Sequence, residues 1–235
     1  MAMPVVIEVV DKNIKEDIFD KVFEYLEYID NKFSTYKKDS EIEKINRGDI
    51  EPSLYSSDMK KILDLCEQTK KETYGYFDIS HKDKLDPSGI VKGFAIHESG
   101  NILKSNGYRN FYINIAGDIE VMGKNSENKD WIIGIENPFL RGDVIKRVKL
   151  TDKGIATSGD YIRGDHIWNK DRNSDIVSVT VIGENAYEAD RFATAAFAMG
   201  KIGIDFIENL LGFEGYMIDK FKNAVFTSQF ENFVI

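Results

Sequence analysis

Cysteine and histidine are scarce in this sequence, which excludes several kinds of metal and redox chemistry. Cys66 is the only cysteine among the 235 residues, so an intramolecular disulfide and any zinc or iron–sulfur site built from several cysteines are excluded. The three histidines, His81, His97 and His166, are too few for a histidine-built metal site to be expected. Cys66 falls among the apolar positions of a helical pattern, and we interpret it as a buried small hydrophobe rather than a nucleophile.

Long apolar runs are also missing. No stretch approaches the ~18 apolar residues that a membrane helix needs. Residues 1–10 have neither the basic start nor the small-residue cleavage site of a signal peptide, and their pattern favours a strand. We therefore expect a soluble, cytoplasmic chain without a membrane segment, with an envelope location as the alternative if a leader has been removed.

Basic residues are outnumbered by acidic ones. Lys and Arg total 31 and Asp and Glu total 40, which gives a formal net charge of −9. A surface this acidic repels phosphate backbones and disfavours nucleic-acid binding. A compact basic pocket for a small phosphorylated ligand remains compatible with this charge.

The first half of the chain predicts helices. Apolar residues recur at steps of three and four after Asn13, which with Glu16 forms a capping-box pattern at a helix start. Ser40 and Glu43 form a second such pattern, and Ser57 is expected to cap a third helix.

The second half predicts mainly short strands. With 42% hydrophobic residues the chain can build a packed core, and no βαβ rhythm, repeat or flexible linker is present. We expect an α+β fold, a mostly antiparallel sheet with packed helices, in a single domain over residues 1–235. The predicted strands are 76–79, 111–115, 119–122, 131–135, 144–150, 154–157, 177–182, 216–218 and 224–226, and the predicted later helices are 89–106, 186–199 and 204–211.

A carboxylate and a hydroxyl share one face of the predicted helix at 186–199. Asp190 and Thr194 are four residues apart, and this oxygen pair suits a hard cation such as Mg²⁺ when a substrate phosphate supplies further ligands. Taken alone, the pair is more often solvated or locally hydrogen-bonded. The apolar neighbours of Asp190 argue that it needs a partner in the interior.

Small residues open the helix predicted at 89–106. Gly89 lets a ligand approach the backbone, and the free N–H groups together with Lys92 favour an anion. The spacing differs from a Walker A motif, and on these residues alone simple helix initiation is the favoured interpretation. The segments 114–118 and 156–160 are turn patterns that either cradle a ligand or merely join strands.

Together and in this order, these segments resemble the ApbE-type flavin transferases, the FAD:protein FMN transferases. The resemblance covers almost the whole chain. The matching segments are Met1-Ala2-Met3-Pro4, Phe33-Ser34-Thr35-Tyr36, Asp39-Ser40-Glu41-Ile42, Tyr76-Phe77-Asp78-Ile79, Asp86 through Ala95, Ala116-Gly117-Asp118, Thr157-Ser158-Gly159, Ser178-Val179-Thr180-Val181 and Glu188-Ala189-Asp190 with Ala193-Thr194.

The resemblance implies a reaction. Enzymes of this family bind FAD and, with Mg²⁺, transfer its FMN phosphoryl group to a Thr or Ser hydroxyl of an acceptor flavoprotein while AMP leaves. Their acceptors include subunits of ion-pumping NADH oxidoreductases. By match to the family motif, Asp190 and Thr194 hold Mg²⁺ through their side chains, the Gly89 carbonyl is a third ligand, and Lys92 contacts FAD.

Other matched positions are implied to contact FAD. Without the resemblance, Tyr36 is a surface loop tyrosine and Phe77 a core phenylalanine. His166 matches a family histidine that positions or deprotonates the acceptor hydroxyl, although a lone surface histidine is the simpler interpretation. The implied FAD contacts are Met1, Tyr36, Tyr76, Phe77, Asp78 and Trp168, the last through stacking of its indole.

The chain departs from the family pattern in two places. The segment 166–173 lacks the Asp-Pro and Thr-Gly pairs of typical members, and a short polar bridge replaces a long insertion between Ile79 and Asp86. These shorter loops favour an alternative, an FAD-binding paralogue without transfer. A second alternative is a pyrophosphatase that releases FMN and AMP, with water as the acceptor.

Overall fold

The computed structural model of the chain describes residues 3–159 and 175–235. Short 3₁₀ turns at Pro52–Leu54, Gly200–Ile202 and Phe230–Phe233 accompany the α-helices in these ranges. The α-helices are α1 (Asp17–Phe33), α2 (Glu41–Asn46), α3 (Ser57–Glu72), α4 (Ser88–Ser105), α5 (Ala186–Met199) and α6 (Gly203–Glu208).

Every strand pair in the described part of the chain is antiparallel, so the predicted α+β fold is confirmed. Seven strands form the main sheet in the order β1-β4-β5-β8-β9-β10-β11, and two hairpins, β2-β3 and β6-β7, stand apart from it. The strands are β1 (Val5–Val9), β2 (Ser80–His81), β3 (Lys84–Leu85), β4 (Phe111–Ile115), β5 (Asp118–Met122), β6 (Trp131–Glu136), β7 (Val144–Leu150), β8 (Lys153–Gly159), β9 (Ile176–Gly183), β10 (Glu214–Asp219) and β11 (Ala224–Phe226).

The two faces of the main sheet carry different partners. Side chains alternate along β5: Ile119 and Val121 pack in one cluster with Ile133 of the β6-β7 hairpin. Between them, Glu120 points to the other face, where it accepts the backbone N–H of Ala186 at the start of α5. The hairpin therefore covers one face and the helix pair α4 and α5 covers the other, with α1 packed against α4.

Helix starts agree with the sequence only in part. Ser40 caps α2 as predicted, accepting the backbone N–H of Glu43 at 3.2 Å. The Asn13 capping box is wrong, because Asn13 has a φ of 59° and α1 begins at Asp17 without a side-chain cap. The cap of α3 is Ser56 rather than Ser57, since Ser56 accepts the N–H of Met59.

The strand predicted at 76–79 is also wrong. Phe77 is buried, but the Asp78 side chain accepts the N–H of Ser80 in a turn, so the segment bends before β2. A local side-chain hydrogen bond thus replaces strand pairing here. Cys66 is buried in α3 as predicted, and this burial raises the pKa of its thiol.

Within residues 3–159 and 175–235, no helix combines the length and the apolar character required to span a membrane.

Candidate functional site

The second turn of α4 approaches the first turn of α5 closely enough for their backbones to touch. A Cβ atom at Gly93 would lie 2.5 Å from the carbonyl oxygen of Ala186 and 2.6 Å from the Cβ of Asp190. Only glycine permits this approach. The close packing brings the helix-borne residues of the two predicted motifs together, although they are about a hundred positions apart in the sequence.

Asp190 lies inside this contact and is 3% exposed. Its Oδ2 accepts the backbone N–H of Gly93 at 2.8 Å, and its Oδ1 lies 4.0 Å from Nζ of Lys92. A carboxylate removed from water to this extent needs such partners to stay charged. The structure therefore fixes the position of one carboxylate oxygen and places a cation beside the other.

Lys92 is buried as well, and it forms an ion pair with Oδ2 of Asp118 at the start of β5. The other oxygen of Asp118 accepts the N–H of Thr157 on β8 at 3.1 Å. The cluster consequently places one lysine between two carboxylates, with the sheet on one side and the helices on the other.

Thr194 lies one turn beyond Asp190 and faces the start of α4. Its hydroxyl donates to the carbonyl oxygen of Gly89 at 3.5 Å and lies 3.3 Å from the hydroxyl of Ser158 on β8. A Cβ at Gly89 would lie 3.1 Å from the Thr194 methyl group and 3.2 Å from the Phe77 ring, so a larger residue would crowd the start of α4.

Asp190, Thr194 and Gly89 form a corner at the start of α4, and the oxygen donors of this corner fit a hard cation. The carboxylate of Asp190, the hydroxyl of Thr194 and the carbonyl of Gly89 are all oxygen donors, which Mg²⁺ prefers. Within residues 3–159 and 175–235, no group of three or more His, Cys, Asp or Glu is arranged to hold a metal. A metal at this corner would therefore complete its coordination with water or a phosphate oxygen.

The residues expected to contact FAD have different surroundings. Tyr36 is 96% exposed in the loop after α1, whereas Phe77 is buried in the core against Gly89. Tyr76 is half-buried and packs against the same core. Met1, His166 and Trp168 lie outside the described residues.

Asp78 is held by an ion pair with Lys70 at 2.6 Å. Burial acts to raise the pKa of the Asp78 carboxyl, but hydrogen bonds from Lys70 and Ser80 outweigh it and leave the pKa below its usual range. The side chain is therefore a fixed anion at neutral pH.

Sequence reasoning missed the sheet residues of the site. Asp118 and Ser158 belong to turn and strand segments in which no individual role was predicted, yet they contact Lys92 and Thr194. A carboxylate directly before the apolar run of β5 was the available indication, because a buried acid requires a buried cation.

Comparisons with known proteins give a consistent result. The model of the ApbE family matches residues 1–83 and 80–217. The FAD:protein FMN transferase of Vibrio cholerae serotype O1 is 33% identical over 130 residues, covering 50% of this chain and 39% of that protein. The FAD:protein FMN transferase of Haemophilus influenzae is 24% identical over an alignment of 258 positions, covering 79% of this chain and 73% of that protein. The Escherichia coli K12 protein of the same name is 26% identical, and the chain covers 48% of it. The chain thus spans less than half of the length of two of these three relatives.

Solved structures share the fold. The flavin transferase ApbE from Vibrio cholerae superposes with a TM-score of 0.84 at 22% identity, covering 99% of this chain and 96% of that one. The ApbE protein from Thermotoga maritima gives a TM-score of 0.83 at 23% identity, covering 97% and 95% of the two chains. The family model accounts for most of the sequence, and the chain belongs to the ApbE family.

Proposed function

We propose that the chain is a Mg²⁺-dependent FAD:protein FMN transferase. The observation that carries the proposal is that the Thr194 hydroxyl meets the Gly89 carbonyl, while the Asp190 carboxylate, one helical turn from Thr194, lies beside the buried Lys92. The names of the similar proteins from Vibrio cholerae and Haemophilus influenzae support the same activity.

The proposed reaction is a phosphoryl transfer. The oxygen of a Ser or Thr hydroxyl on the acceptor protein forms a bond to the FMN phosphorus of FAD. The bond from that phosphorus to the bridging oxygen breaks, AMP leaves with the bridging oxygen, and the hydroxyl proton passes to a base or to water. Such a reaction depends on alignment and charge neutralisation more than on covalent participation of the enzyme.

The residues of the corner supply both requirements. Asp190, Thr194 and the Gly89 carbonyl would hold Mg²⁺, which when bound neutralises charge on the diphosphate. Lys92 brings a second positive charge, and its ion pair with Asp118 fixes the position of the ammonium group. Most N–H groups in the first turn of α4 are already bonded to the Asp86 side chain or the Pro87 carbonyl, so the expectation of free N–H groups for an anion there is wrong.

The remaining site residues stay part of the proposal. Met1, Tyr36, Tyr76, Asp78 and Trp168 are proposed to contact FAD, and His166 to position or deprotonate the acceptor hydroxyl. Phe77 is also proposed to contact FAD. Since its ring is enclosed in the core, that contact would come from its backbone.

The test is an incubation with FAD, Mg²⁺ and an acceptor protein. The acceptor is the subunit of an ion-pumping NADH oxidoreductase that normally carries FMN, purified without its flavin. A flavin-fluorescent acceptor band together with one AMP per transferred FMN is expected. Free FMN with AMP would instead identify a pyrophosphatase, and intact FAD bound to the chain would identify a binding protein. Either of those results would overturn the transferase proposal.

A further inference from the structure

A large cavity lies on the hairpin side of the main sheet. Its volume is about 640 Å³, and it is enclosed between the β4, β5 and β8 surface and the strand β6. Apolar side chains of the strands and polar groups both line it, and the polar groups lie mainly toward the turns. Its lining includes Asp118, Ile132, Phe139 and Thr157.

One end of the cavity lies at Asp118, the ion-pair partner of Lys92. Asp118 and Thr157 line the cavity, and the same Asp118 holds Lys92 on the other side of the sheet. The direction of β6 shows which end of this strand lies near Asp118. Trp131, at the start of β6, donates its indole N–H to Met122 at the far end of β5. The last residue of β6, Glu136, therefore lies toward Asp118.

The strand that borders the cavity has one unused edge in the described structure. Within residues 3–159 and 175–235, β6 pairs only with β7, and the other edge of β7 is bonded to the C-terminal segment through Val148 with Val234 and Arg147 with Ile235. The cavity is lined by residues 132–136 of β6, so we infer that the remaining edge of this strand faces it. Every second residue of an antiparallel strand directs its N–H and C=O away from the paired neighbour. Only another extended polypeptide matches that spacing along its whole length.

We propose that the cavity binds an extended segment of the acceptor polypeptide, which adds as a strand to the free edge of β6. This inference rests on the proposed function, since it assigns the second substrate of that reaction. The segment presents its Ser or Thr hydroxyl at the end of the cavity where Asp118, the ion-pair partner of Lys92, lies.

The surroundings of the cavity support a protein partner. Ile132 on β6 is 58% exposed, and the turn after β6 carries Phe139 and Leu140, which are 42% and 62% exposed. Phe221, in the loop between β10 and β11, adds a further exposed ring, and Lys222 of that loop lies over the Phe139 ring. An apolar rim of this kind is typical of a surface that contacts another protein.

The first test is hydrogen–deuterium exchange with the same purified acceptor subunit, without FAD. We expect the amides of residues 131–136 to exchange more slowly when the subunit is present at saturating concentration. Exchange in β6 that is unchanged by the subunit would overturn the proposal. Because this measurement needs no chemistry, slowed exchange without any FMN transfer would support the docking site while refuting the proposed function.

The second test compares two exposed apolar residues on edge strands. Ile132→Lys is expected to raise KM for the acceptor subunit about tenfold. The matched control is Val6→Lys on β1, because Val6 is 54% exposed and does not line the cavity. FAD affinity is measured for both variants by flavin fluorescence. An equal rise in KM for both variants, or a loss of FAD affinity in Ile132→Lys alone, would contradict the proposal, the latter because it would assign the cavity to the dinucleotide.

Discussion

The backbone N–H of Gly93 donates to the carboxylate of Asp190 at 2.8 Å, at the point where α4 and α5 lie closest. This single bond joins the two sequence motifs that supply the proposed metal ligands. It depends on the absence of a side chain at position 93. The geometry of the corner is therefore set by helix packing as much as by the ligands themselves.

Gly93→Ala should be destabilising although alanine is the better helix former. The intrinsic gain of about 1 kcal/mol is outweighed by the contact that a Cβ would make with Ala186 and Asp190. We expect the free energy of unfolding to fall by about 1–3 kcal/mol in urea titrations. The exposed Ser105→Ala on the same helix serves as the control. A more stable Gly93→Ala variant would show that the two helices can separate without cost.

Asp190→Asn should remove activity without removing the fold. Asparagine retains an oxygen that can accept the Gly93 N–H but not the negative charge. We expect Mg²⁺-dependent FAD cleavage to fall about 100-fold or more, with little change in Tm. The exposed Asp205→Asn on α6 is the control. Cleavage at the rate of the unaltered chain would remove Asp190 from the mechanism.

Lys92 and Asp118 should behave as a coupled pair in a double-mutant cycle. Lys92→Met leaves the buried Asp118 carboxylate without its cation and is expected to cost about 3–5 kcal/mol of unfolding free energy. Adding Asp118→Asn removes that charge, so the double variant should be more stable than Lys92→Met alone. Strictly additive effects in urea unfolding would mean that the two groups do not interact.

The Asp78 carboxyl should make stability depend on pH. Its pKa lies below the ordinary value because the hydrogen bonds from Lys70 and Ser80 outweigh burial. A lowered folded-state pKa stabilises the fold above the ordinary pKa of 3.8, and this contribution is lost as the pH falls through the lower value. Asp78→Asn should therefore be less stable at pH 6, and the difference should shrink below about pH 4. The comparison is made by urea unfolding at both pH values, and a difference that grows on acidification would reverse the assignment.

Trp168→Ala tests the FAD contact implied by the family resemblance. We expect FAD affinity to weaken by about 1–3 kcal/mol if the indole stacks on a ring of the cofactor. Quenching of flavin fluorescence on titration gives the dissociation constant. An unchanged constant would assign Trp168 to the ordinary surface.

Much of the fold was readable because local patterns determine local structure. The period-two strands at 111–115 and 144–150 and the helix at 186–199 appear with the predicted bounds. Predictions were wrong where the same polar residue type is compatible with two local structures. The sequence predicts a helix cap at Asn13, but this residue adopts a positive φ, and it predicts a strand through Asp78, which instead forms a turn.

The sequence by itself determined which elements form and which oxygen-bearing side chains they carry, because periodicity, caps and helix spacing act over a few residues. Only the tertiary structure decided that Asp118 holds Lys92, that Gly93 bonds Asp190 and that β6 leaves an edge beside a cavity. These relationships join segments far apart in the chain. They follow from the strand order of the sheet and the closeness of two helices, which no local pattern encodes.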